Sequence, residues 1–147
     1  MKSQQFFLLF LMISVVMILS ASLQLNMELQ PKIHVTQLEI VFNGTNATAT
    51  VDYDLNFFTQ LYIFFFGNRN LDPLLNDFLY GFEEFQIDSI QGTTATAQLT
   101  NVSRYTGSIY LHDSRPFSSP VDELIYVYPE GEIRSYKNVT ATRNTFY

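Results

Sequence analysis

Between Ala47 and Phe57 the chain alternates without a break. Ala47, Ala49, Val51, Tyr53, Leu55 and Phe57 share one face of an extended segment, and Thr48, Thr50, Asp52, Asp54 and Asn56 share the other. Successive side chains of a strand point to opposite faces, so this period of two buries one face and wets the other only as a β-strand. Ile33–Phe42 precedes it and leads into Asn43-Gly44-Thr45-Asn46, which predicts a hairpin closed by an Asn-Gly turn.

The same reading extends to the C-terminus. Phe85–Ile90 and Thr94–Val102 flank Gln91-Gly92 as a second hairpin, with Ala95, Ala97 and Leu99 inward, and a strand from Ser108 to His112 follows Gly107. A Ser/Pro-rich stretch, Ser114 to Pro120, reads as a loop. Leu124–Tyr128 and Glu132–Val139 then form a hairpin across Pro129-Glu130-Gly131. Leu61–Phe66 is apolar on both faces and reads as a buried central strand or a bulky plug in the core. Asp72-Pro73 predicts a helix start, Asp72 as N-cap, with Leu74, Leu75, Phe78 and Leu79 on one stripe up to Gly81. The expectation is a mainly β fold: one antiparallel β-sandwich of seven or eight strands with a single short helix, over residues 26–147.

Residues 1–25 have a different character. Lys2 and the amino group precede Phe6–Leu19, apolar except for Ser14, and no acidic residue occurs before Glu28. A short positive region followed by an apolar run predicts an export segment with the N-terminus inside and the remaining chain outside. Two fates remain open. Counted to Leu25 the run has about 20 residues, enough for a helix that spans roughly 30 Å of bilayer and stays as an anchor. Ser20-Ala21-Ser22 also offers the small-x-small pattern of a cleaved signal peptide, which would release the domain.

Fourteen acidic residues, all beyond this segment, face seven basic ones there, so the exported part carries about −7. That charge excludes nucleic acid as a partner and repels anionic lipid. Cysteine is absent, which excludes disulfides, thiolate metal sites and cysteine nucleophiles. A small exported domain without disulfides fits a prokaryotic origin better than a eukaryotic one. Asn43, Asn46, Asn101 and Asn138 each begin an Asn-x-Ser/Thr sequon and are candidates for N-glycosylation, or else ordinary turn and edge-strand residues.

Chemistry is sparse. His34 stands near the start of the first strand with no carboxylate beside it in sequence. His112 lies where a strand runs into a loop, in His112-Asp113-Ser114-Arg115. A Ser/His/Asp triad fails there, because adjacent residues at a strand end diverge and a triad must converge. His112, Asp113 and Arg115, with Arg104, could instead order the loop or grip an anionic ligand. Asp52 and Asp54 place oxygens about 7 Å apart on one strand face, too few and too flat for calcium. Glu83-Glu84 and Asp122-Glu123 are ordinary strand charges. Tyr126 and Tyr128 share a face with Tyr136 across the hairpin, as cross-strand aromatic pairs do. No cofactor, metal site or catalytic residue is assigned.

The N-terminal segment, the Asn/Thr-rich strands, the run from Val127 to Tyr136 and Asn138-Val-Thr-Ala-Thr142 resemble small membrane-anchored or exported β-rich proteins of methanogenic archaea. The resemblance covers no diagnostic motif and carries no activity or residue role. The expected function is therefore a structural or interaction role at the cell surface, with the membrane, other surface proteins or a second copy as partners. A ligand-binding module using the loops at 68–73 and 112–120 is the alternative, and an enzyme comes third.

Overall fold

A computed structural model describes residues 33–67 and 71–147; the export segment expected over residues 1–25 lies outside these residues. Lys32–Tyr147 forms one compact unit. Among the described residues nine strands and two helices follow in chain order: β1 (Ile33–Asn43), β2 (Asn46–Leu55), α1 (Phe57–Phe66), α2 (Asp72–Phe78), β3 (Glu84–Gln91), β4 (Thr94–Thr100), β5 (Ser103–Tyr105), β6 (Tyr110–His112), β7 (Pro116–Val127), β8 (Ile133–Ala141) and β9 (Thr145–Phe146). The fold is mainly β, with a six-stranded sheet in the order β3-β4-β2-β1-β7-β8 and a three-stranded sheet β5-β6-β9.

The three expected hairpins form, closed by Gly44 (φ 62°), Gly92 (φ 60°) and Gly131 (φ 87°), each in the left-handed region that glycine enters without a Cβ penalty. The large sheet departs from a purely antiparallel one. β7 lies parallel to β1, from Val35 opposite Val121 to Val41 opposite Val127. Its first residues correct the loop expected at Ser114–Pro120, since Pro116–Pro120 belongs to the strand. The β1 pairing begins only at Val121, so Pro116 and Pro120 stand where no β1 ladder needs their missing N–H.

One face of the large sheet holds the core. Val35, Leu38, Ile40 and Phe42 of β1, Ala47, Ala49, Val51 and Tyr53 of β2, Ala95, Ala97 and Leu99 of β4, and Val121, Leu124 and Tyr126 of β7 are buried there, joined by Tyr128 just beyond β7. Ala49 sits opposite Ala97 and Val51 opposite Ala95, a low strip that leaves depth for larger groups in the same cluster. Those groups come from Leu71, Leu75, Phe78, Leu79 and Phe82, with Phe78 stacked on Phe117 at 5.2 Å. The small sheet covers the far end of the face, where the Phe42 ring meets His112 at 5.3 Å and Tyr147 at 4.8 Å.

Two expectations about helices are corrected. Leu61–Phe66 is neither a central strand nor a core plug: it lies in α1, a second helix after the N-terminal segment. Asn56 explains the switch, because its side-chain oxygen accepts from the Thr59 N–H at 2.7 Å and the Thr59 hydroxyl at 2.6 Å, capping the first turn. A run that is apolar on every side carries no period to separate strand from helix, and the cap decides. α2 begins one residue earlier than expected, with Leu71 at the N-cap and Asp72 inside the first turn, and it ends at Phe78 before Gly81.

Candidate functional site

The polar candidates gather around β6 and the start of β7. β6 alternates, so Tyr110 and His112 face the core and Asp113 faces solvent. His112 is 1 % exposed. Its Nδ1 lies 2.8 Å from the Val102 carbonyl, to which it donates, and its Nε2 lies 3.0 Å from the Thr142 hydroxyl. The same hydroxyl oxygen accepts from the Arg115 backbone N–H at 2.6 Å. Both ring nitrogens are thereby occupied, and burial holds the imidazole below the ordinary histidine range. A neutral ring that donates from Nδ1 and accepts at Nε2 satisfies all three partners.

Asp113 instead meets Arg104 at 3.6 Å, both more than 60 % exposed. Arg115 reaches the Gly81 carbonyl at 3.4 Å and Glu83 at 3.3 Å, and its Nε is buried with no hydrogen-bond partner among the described residues. His112, Asp113 and Arg115 are therefore neighbours that do not converge on an open site. A depression of about 340 Å³ beside them is lined by Arg104, Asp113 and Arg115 among others, and each of its charges already has an opposite charge within 4 Å. Of the 68–73 loop, residues 68–70 lie outside the described residues and Leu71 is buried in the core.

The other candidates fall apart in space. His34 does have a carboxylate, Asp122 of β7, 3.0 Å away on the exposed surface, a partner that only the parallel β1–β7 pairing supplies. Asp52 accepts from the Thr94 hydroxyl at 2.6 Å across the β2–β4 ladder. No group of three metal-ligating side chains occurs among the described residues. The tyrosines pair as expected, with Tyr126 and Tyr136 rings 5.6 Å apart at 69°. The Tyr126 hydroxyl donates to the Arg143 carbonyl at 3.0 Å and accepts from its N–H at 2.6 Å, and burial raises its pKa far above that of an ordinary phenol.

All four sequon asparagines are exposed. Asn43 and Asn46 flank the β1–β2 turn, and Asn101 joins them by donating its N–H to the Asn46 side chain at 3.1 Å. Asn138 lies on edge strand β8; it and Asn101 take positive φ, 52° and 53°, which asparagine tolerates better than most residues.

The feature that sequence reading missed is the outer face of α1. Thr59 and Ile63 turn inward, while Leu61, Phe64 and Phe65 are 44, 82 and 67 % exposed. Their spacing of three and four residues makes one stripe, and α1 contains no charged residue. Asn56 followed by Thr59 was the local signal that could have revealed it. Among the described residues no helix is long and apolar enough to cross a membrane. No protein-family model, curated protein or solved structure matches this chain.

Proposed function

We propose that the β domain is held at the outer face of a cell membrane by its N-terminal segment and acts there as a structural or interaction module through its surface. The exposed apolar stripe of α1 carries this reading. A soluble domain gains nothing by leaving Leu61, Phe64 and Phe65 in water, and an apolar surface maintained at this cost marks a contact with another surface. The polar cluster around His112 supports the same reading by its closure. Its imidazole has no free nitrogen to offer a substrate, and its charged neighbours neutralise one another.

The complete absence of cysteine gives a direct test. A single Glu130→Cys substitution in the exposed β7–β8 turn places a unique thiol on the domain. In intact cells a membrane-impermeant maleimide should label it as fully as in lysed cells. Labelling only after lysis contradicts an outward-facing domain.

A further inference from the structure

Ile33 is the register partner of Leu55, so β1 begins and β2 ends at the same end of the large sheet. α1 starts two residues later, at Phe57, and therefore lies at the end through which the chain arrives from its N-terminal segment. The covalent path from Leu25 to Ile33 is eight residues, which reaches under about 30 Å even when fully extended. The opposite end, ten residues along β1 and about 33 Å away, carries the exposed Asn43, Asn46 and Asn101.

We infer that α1 is a lipid-inserting wedge: Leu61, Phe64 and Phe65 enter the interface of the bilayer in which the N-terminal segment is anchored, and the sequon-bearing end points away from it. This rests on the anchored reading above and names the surface that α1 meets. Four observations select lipid as the occupant. The tether keeps the start of β1 within about 30 Å of the end of the anchor. Ten residues make a helix of about 15 Å, half the hydrocarbon thickness, so α1 lies along the interface and does not cross it. α1 itself brings no charge to the interface, so its own insertion depends on apolar area alone. An inward face of Thr59 and Ile63, against an outward face of Leu61, Phe64 and Phe65, holds the helix on the domain while leaving the bulkier face free.

The chain has no tryptophan, so each introduced one reports alone. Full-length Phe64→Trp, Phe65→Trp and Glu130→Trp chains are reconstituted into phosphatidylcholine vesicles with plain or brominated acyl chains and floated on a density gradient. Brominated lipid should quench the Phe64→Trp and Phe65→Trp signals about threefold or more, with little effect on Glu130→Trp, and high salt should not reverse it. Floated chains whose Phe64→Trp and Phe65→Trp emission matches that of Glu130→Trp overturn the wedge and leave the anchor standing. Blue-shifted emission that bromine does not quench means a protein surface, such as a second copy, covers the stripe, and this also overturns it. Chains that do not float overturn the anchored reading and the wedge with it.

Discussion

Ile33 faces Leu55 across the β1–β2 ladder, and this one pairing puts the arrival of the chain and the departure of α1 at the same end of the sheet. The domain is thereby polarised along its strands. An uncharged helix presents Leu61, Phe64 and Phe65 at one end, and three exposed asparagines occupy the other.

Removing the Asn56 cap should loosen α1 and leave the sheets in place. Asn56→Ala deletes the oxygen that accepts from both the N–H and the hydroxyl of Thr59. The expected cost is about 0.5–2 kcal/mol. It should appear as a lower thermal midpoint with a smaller helical signal in far-UV circular dichroism. Identical melting of variant and parent would show that the cap is not what holds the helix.

His112 links stability to pH. Burial lowers its pKa, the Val102 carbonyl opposes this, Arg115 adds to it and Asp113 opposes it. The folded ring stays neutral where an unfolded histidine, with a pKa of about 6.5, takes up a proton. The unfolded chain then binds more protons, so this contribution is complete above about pH 6.5 and is lost as pH falls toward the folded value. Urea midpoints between about pH 7.5 and pH 5 should fall less steeply in His112→Gln than in the parent. Parallel slopes would contradict a buried neutral ring.

Tyr126 fixes the segment after β8 through a single hydroxyl that donates to the Arg143 carbonyl and accepts from its N–H. Tyr126→Phe keeps the ring contacts and leaves those two backbone groups without this partner. Chemical denaturation should show a loss of about 1–3 kcal/mol. A change below about 0.5 kcal/mol would mean that water replaces the hydroxyl at no cost.

Gly81 is held by proximity. A methyl group there would collide with the Pro116 carbonyl oxygen and come 2.9 Å from the Pro116 Cδ. Gly81→Ala should therefore force α2 and β7 apart, costing about 1–3 kcal/mol, as overpacking does. Unchanged urea unfolding would show that this junction yields freely.

Local chemistry made the hairpins legible, because Asn43-Gly44, Gln91-Gly92 and Pro129-Glu130-Gly131 each announce a turn between alternating runs. The pairing of β1 with β7 was not legible. It joins segments some 85 residues apart, and nothing within either strand names its neighbour; the His34–Asp122 contact was hidden for the same reason. α1 was misread because Leu61–Phe66 is apolar on both faces, and exposure, unlike periodicity, leaves no mark in a uniform run. His112 was placed correctly at the end of a strand, yet its burial depends on Phe42 and Tyr126, which reach it from the other sheet. The divergence of His112 from Asp113 followed from the alternation of a strand and could be read directly.

The central claim is that this domain stays attached to the membrane it has crossed, and the mass and N-terminal sequence of the protein recovered from membrane and medium test it most directly. Intact chains beginning at Met1, found in the membrane fraction and resistant to an alkaline wash, are the expected result. A chain beginning near Leu23 and free in the medium would contradict it.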